Sequence, residues 1–189
     1  MNFEENRFLS IFDRVNKTSH NRYISSRRLL AHHHWSYATI ALLSLALIFL
    51  SLSTSTQTAG NVSPAGAVLI SIAILVYSVI LNLRDFSLRA DKHHRCGLEL
   101  STLKQKIYPY VKVDGGDELY SLFIADYETI LSRYENHDPV DNGLMQCQLK
   151  DYYKLNRTSI AARHLRYWLQ FWHYLVVLII TGAYVWLHL

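Results

Sequence analysis

Two stretches of this chain, Trp35 to Ser53 and Ala65 to Leu83, contain no Asp, Glu, Lys or Arg. At a helical rise of about 1.5 Å per residue, each is long enough to cross the roughly 30 Å hydrocarbon core of a bilayer. A third uncharged, apolar run extends from Leu169 to Leu189. A water-soluble fold would have to bury three such helices on every side, and 189 residues are too few to surround them. The overall composition, 50% hydrophobic and 18% charged with a mean hydropathy of +0.04, conceals this because the charges are segregated between the runs. The expected fold class is therefore all-α: an integral membrane protein with a transmembrane helical hairpin, a cytoplasmic helical segment and a C-terminal hydrophobic helix. The first run starts too far from the N-terminus for a signal peptide and lacks a small-residue cleavage site, so it is expected to stay in the mature protein.

Orientation follows from Lys and Arg, which collect on cytoplasmic flanks. Arg7, Arg14, Lys17, Arg22, Arg27 and Arg28 precede the first run, and the remainder of the 19 basic residues lie between the second and third. None lies from Ser53 to Pro64, a polar, turn-rich loop suited to a tight crossing between antiparallel helices. The N-terminus and the segment from Arg84 to Arg166 are thus expected in the cytoplasm and the 54–64 loop in the periplasm, with the protein multi-pass in a bacterial inner membrane. In the third run, Trp168, Trp172 and Tyr174 at one end and Tyr184 and Trp186 at the other resemble two interfacial belts. Crossing is the preferred reading and puts the C-terminus in the periplasm. The alternative is a helix lying in the interface or packing between subunits.

These readings divide the chain into a basic N-terminal helix (1–34), the hairpin (35–83, with helices 35–53 and 65–83), a cytoplasmic helical region (84–168) and the C-terminal helix (169–189). In the cytoplasmic region Phe86, Ala90, Leu100, Leu103 and Ile107 recur at helical intervals, which predicts a continuation of the second membrane helix. Val113 to Asp117 is a break. Glu118 to Tyr134 resumes a helix with Leu119, Leu122, Ile124, Tyr127, Ile130 and Leu131 on overlapping faces. A second break is expected from His137 to Gly143, and Lys150 to Arg166 leads into the third run.

Chemistry-bearing motifs are sparse. Cys96 and Cys147 fall on the reducing side without a Cys-x-x-Cys pair, so neither a disulfide nor a zinc site is expected. Consecutive residues on a helix diverge by about 100°, so His32, His33 and His34 cannot converge on one metal and read instead as interfacial side chains. Phosphate loops, dinucleotide fingerprints and hydrolase signatures are missing from the sequence. The cluster Tyr134-Glu135-Asn136-His137-Asp138 with Asp141 offers acid/base or metal chemistry in principle, while capping side chains at a helix end explain it more simply. The expectation is a non-enzymatic protein with no cofactor.

Within the membrane runs the polar residues are arranged. Ala67, Ser71, Ser78 and Asn82 fall within about 60° of one another on the second helix, and Tyr37, Ala41, Ser44 and Ser51 cluster likewise on the first. Such stripes either pack the hairpin together or, in an oligomer, line a hydrated path.

The stretch from Lys17 through Asn21, Arg22 and Arg28 into Trp35, with Arg89-Ala90 after the second helix and Glu135-Asn136-His137 with Asp141 downstream, resembles the SLATT domain family over roughly residues 10 to 185. The resemblance implies a bacterial membrane effector encoded beside antiviral sensors such as cyclic-oligonucleotide synthases or retron reverse transcriptases, with no catalytic residues to carry over. Expected partners are the lipid bilayer, further copies of the chain and a cytoplasmic sensor complex, which could include a reverse transcriptase with its RNA and DNA. Direct nucleic-acid contact is not expected despite a pI near 9.0, because basic residues are spread over the whole inner surface and mixed with acidic ones. Two functions follow: a pore-forming or depolarising effector of abortive infection, or a membrane anchor that recruits the sensor and permeabilises nothing.

Overall fold

A computed structural model describes residues 7–56, 64–113 and 115–187. Its elements are α1 (Arg7–Thr56), α2 (Pro64–Leu83), α3 (Phe86–Ile107), a 3₁₀ turn (Tyr108–Val111), α4 (Gly116–Ser132), α5 (Pro139–Gln148), α6 (Lys150–Tyr153), α7 (Arg157–Trp168), a second 3₁₀ turn (Leu169–Phe171) and α8 (Trp172–Leu187). No strand occurs among the described residues. Three helical stretches are long and apolar enough to cross a membrane, one in each predicted run. Most of the connection expected to lie outside, residues 57–63, falls outside the described residues, as do Asp114 and His188.

The chain divides into two compact units. The first comprises residues up to Leu29 together with Ser87–Tyr167, and the second Leu30–Phe86 with Trp168 onward. In the first, a core forms from Phe8, Ile11 and Val15 of α1, Cys96, Leu100, Leu103 and Ile107 of α3, and Phe123 and Ile130 of α4. The rings of Phe8, Tyr120 and Phe123 meet edge to face, the geometry their quadrupoles favour. Of the apolar residues read on overlapping faces of α4, Leu122 is 56% exposed, while Phe123, not among them, is buried in the core.

In the second unit the large apolar side chains point outward: Leu45, Ile48 and Leu52 of α1, Val68, Leu69, Ile72, Leu75 and Leu83 of α2, and Ile179, Ile180 and Trp186 of α8 are all exposed. Apolar surface on this scale around helices is what hydrocarbon solvates and water does not. The uncharged portions of α1, α2 and α8 supply the three stretches that are long and apolar enough to cross a bilayer.

Three boundaries differ from expectation. α2 and α3 are not one helix: Arg84 and Asp85 donate to carbonyls three residues back, Leu81 and Asn82, and Asp85 sits at φ 44°. A short polar side chain tolerates this left-handed region better than most residues, so Arg84-Asp85 can end α2. The second break covers Arg133 to Asp138, because Asp138 caps α5 with Pro139 at its first position, where a missing N–H costs nothing. α7 is separated from α6 by Lys154 at φ 49°, so the segment from Lys150 to Arg166 is two helices.

Helix α1 explains what periodicity alone could not show. Its buried residues include a stripe of Phe8, Ile11, Val15, Ser19, Arg22, Ser25, Leu29, His32, Ser36, Thr39, Leu43 and Leu50, with Asn21 and Ile24 buried beside it. The steps of three, four and seven keep the heptad spacing of a coiled-coil seam, but the middle of the stripe is polar. Those polar residues organise the sites below.

Candidate functional site

In the first unit, residues far apart in sequence converge on Asp141, which is 0% exposed. One carboxylate oxygen accepts from Arg28 Nε at 2.7 Å. The other accepts from Arg28 Nη2 at 3.0 Å, Ser25 Oγ at 2.6 Å and the backbone N–H of Asp138 at 3.2 Å. Asp138 Oδ1 in turn accepts from the N–H of Val140 at 2.9 Å, completing a reciprocal cap on α5. Asp141 therefore does two jobs at once: it closes the helix end and holds α5 to α1. Burial works against the Arg28 charge, yet the hydrogen bonds and charge of Asp141 raise its pKa above the usual arginine value.

A turn earlier on α1, Arg22 is 2% exposed and donates to the backbone oxygen of Glu135. The same guanidinium faces His93 Nδ1 at 3.4 Å, while His93 Nε2 lies 3.5 Å from a Glu135 carboxylate oxygen that also accepts from Arg89 Nε at 2.8 Å. This network assigns the His93 proton to Nε2. Burial, and then the Arg22 charge, push the His93 pKa down to about 4, so the ring is neutral at physiological pH. Burial opposes ionisation of Glu135, but Arg89 holds its carboxyl below the ordinary range. His137 is lowered by burial and then by Arg22, and its Nε2 lies 3.3 Å from Asn21 Nδ2.

The convergence is incomplete in its pairing. Asn21 Oδ1, Arg22 Nε and His137 Nδ1 are buried without a hydrogen-bond partner among the described residues. Of the remaining residues singled out by resemblance, Ala90 packs buried on α3, and Asn136 is exposed and accepts from the His137 N–H at 2.9 Å. Among the described residues no group of three or more His, Cys, Asp or Glu is arranged to hold a metal, and Cys96 and Cys147 are free thiols. Within the arrangement the Arg28 and Asp141 charges are paired and the first turn of α5 is closed by a reciprocal cap.

The second unit has its own polar centre. His32 is not interfacial but buried, stacked on Phe171 at 4.2 Å and on Phe86 at 5.2 Å between ring centroids. Its Nδ1 lies 3.2 Å from the hydroxyl of Tyr174, which is 0% exposed and lies 2.9 Å from Ser36 Oγ. Where α8 meets α2, a Cβ built on Gly66 would lie 1.9 Å from the Tyr184 hydroxyl, so only a residue without a side chain permits the contact. An apolar cavity of about 440 Å³ lies among the three spans, lined by Leu43, Ile70, Tyr77, Val177 and Tyr184 among others.

The two stripes are placed differently from this centre. Tyr37, Ser51, Ser71 and Asn82 are exposed, and Ser44, Ala67 and Ser78 are partly exposed. The hydroxyls of Ser44, Ser51, Ser71 and Ser78 turn back to carbonyls of their own helices at 2.8–2.9 Å. The residues that join the helices of the unit, Ser36 with Tyr174 and Gly66 with Tyr184, belong to neither stripe.

Comparison with known proteins gives one finding that covers almost the whole chain: the model of the SMODS and SLOG-associating 2TM effector domain family 5 matches residues 4–188. No match was found among curated proteins or among solved structures.

Proposed function

Given that the chain belongs to the SMODS and SLOG-associating 2TM effector domain family 5, a family of membrane effectors, we propose that it permeabilises or depolarises the bacterial inner membrane as an oligomer. Release comes from a cytoplasmic sensor complex, such as a retron reverse transcriptase or a cyclic-oligonucleotide system, that engages the basic segment from Arg84 to Arg166. The protein acts by opening the membrane and carries out no catalysis. Both its N-terminus and that basic segment face the cytoplasm.

The observation that carries this reading is the α2 stripe on which Ser71 and Asn82 are exposed and Ala67 and Ser78 partly exposed. Lipid tails offer nothing to a polar stripe, whereas a ring of copies turns such stripes toward a shared, hydrated axis. Three helices cannot enclose a channel alone, so the opening requires several chains. The incompletely paired Asn21, Arg22 and His137 support the same reading, because a half-satisfied buried network yields to a partner more readily than a complete one.

The test is membrane potential and dye entry in cells carrying the chain and its neighbouring genes, with and without an infecting phage. Depolarisation on triggering is expected, and Ser71→Leu with Ser78→Leu abolishes it while membrane insertion is retained. An intact potential under triggering conditions sinks the pore and leaves the second reading, a membrane anchor that recruits the sensor complex.

A further inference from the structure

In the first unit, α5 and α7 enclose a cleft of about 220 Å³ that no part of the clasp at Asp141 uses. Val140, Asn142, Gly143 and Gln146 of α5 form one wall, and Arg163 and Arg166 of α7 form the other. The volume is below the roughly 300–1,000 Å³ typical of pockets for drug-sized ligands, so the cleft suits a small charged group better than a base, a sugar chain or a peptide.

Its charge is unbalanced in one direction. Arg163 and Arg166 are one turn apart and share a face of α7. Neither makes an ion pair among the described residues. Arg163 Nη1 donates to Gln146 Oε1 at 2.5 Å and points toward the Gly143 carbonyl at 3.5 Å, which fixes the plane of its guanidinium and leaves its other donors free for a ligand. The nearby acids are already engaged: Asp141 with Arg28 and Ser25, and Asp138 with the N–H of Val140. Asn142 and Gln146 add carboxamides to the lining. A planar fork held in place beside a second guanidinium, with neutral amides opposite, is the donor set that recognises a phosphate oxyanion. Along the chain, Arg166 stands three residues before Leu169, where the third apolar run begins. An arginine beside the end of a bilayer-length apolar run is in general suited to meet anionic headgroups.

We propose that the α5–α7 cleft is a binding site for a phosphate group, held by Arg163 and Arg166 and supplied by an anionic phospholipid headgroup or by a soluble phosphate. The site is independent of the pore reading and stands whether or not the chain opens the membrane.

The full chain, purified in a neutral maltoside detergent, is titrated separately with a short-chain phosphatidylglycerol, the corresponding phosphate-free diacylglycerol and inorganic phosphate. Bound lipid is read by native mass spectrometry and stabilisation by thermal midpoint. Wild type is expected to bind phosphatidylglycerol and not diacylglycerol. Arg163→Gln with Arg166→Gln weakens binding about tenfold or more, whereas Arg157→Gln, on the same helix outside the cleft, leaves it unchanged. A midpoint raised by inorganic phosphate alone to the same extent identifies a soluble phosphate as the source; a response confined to phosphatidylglycerol identifies the lipid. Arg166 is exposed and makes no ion pair in the fold, so Arg166→Gln alone keeps the test valid if the double variant does not fold, with a several-fold loss expected. Wild-type affinity in a folded Arg166→Gln chain, or no binding of either anion by wild type, overturns the site.

Discussion

Removing the Asp141 carboxylate should be among the most damaging single changes available to this chain. The side chain is 0% exposed, and its partner Arg28 is 11% exposed, so the pair is shielded from the screening that makes surface ion pairs nearly worthless. Asp141→Ala strands a buried guanidinium, orphans Ser25 Oγ toward α5, and removes half of the reciprocal cap on that helix. Breaking one side of a buried pair costs about 3–5 kcal/mol, and loss of a cap about 1 kcal/mol. Together that is about 4–6 kcal/mol, and at roughly 2–4 °C per kcal/mol for a chain of this size the midpoint should fall by about 8–24 °C. The assay is thermal unfolding of the purified full chain followed by tryptophan fluorescence, extended to a double-mutant cycle with Arg28→Met. Because each single variant leaves one charge uncompensated, Arg28→Met with Asp141→Met should be less destabilised than the sum of the singles. Singles within about 2 °C of wild type, or a strictly additive double variant, would falsify the idea that the pair holds α5 to α1.

Three further outcomes are expected. Burial and Arg22 depress the pKa of His93 to about 4, below the 6.5 of an exposed histidine, so the folded chain binds fewer protons than the unfolded one between those values. The stability this provides is complete above about pH 6.5 and is lost as pH falls toward 4; His93→Gln should flatten that slope in urea titrations run from pH 7.5 to 4.5, and an unchanged slope argues against the assignment. A Cβ on Gly97 would lie 2.9 Å from the Tyr23 ring, so Gly97→Ala forces α3 away from α1 and should cost about 1–3 kcal/mol, with Gly97→Ala/Tyr23→Leu recovering part of it in denaturant midpoints. Tyr174→Phe deletes the hydroxyl that bonds Ser36 and faces His32, and should lower the midpoint by an amount corresponding to about 1 kcal/mol while expression and insertion stay normal.

The membrane spans and the buried face of α3 were legible because they obey simple rules: absence of charge over a bilayer's thickness, and apolar residues returning every three or four positions. Ala90, Leu100 and Ile107 were found that way and are buried. The α5 half of the first-unit site was legible as a polar cluster suited to capping, whereas its pairing with α1 was not, since those contacts join residues 113 or 116 positions apart and no local period reports them. The inner face of α1 was missed for a different reason. Its central positions are Ser19, Arg22, Ser25, His32, Ser36 and Thr39, so a search for apolar periodicity passes over them, although their spacing continues that of Phe8, Ile11 and Val15. The one glycine within α3, Gly97, carried a usable signal: a glycine in mid-helix marks a close neighbour, here the Tyr23 ring. In the membrane unit the polar stripes drew attention because serines are conspicuous among leucines, whereas the contacts that join helices belong to aromatic hydroxyls and one glycine.

The long separation between Arg28 and Asp141 also has a meaning for biogenesis. A chain is made from its N-terminus, so α1 leaves the ribosome and meets the insertion machinery when Asp141, 113 residues downstream, has not yet been translated. Through that interval Arg22 and Arg28 carry naked charge, and on the cytoplasmic orientation proposed for the N-terminus they anchor the near end of the first span while its direction is decided. Only after the later segment arrives is Arg28 paired with Asp141 and Arg22 bonded to the backbone oxygen of Glu135, both in the interior. On that proposed orientation Arg28 serves in succession, first as a topogenic charge and then as one half of the clasp to Asp141, so a substitution there would touch both stages.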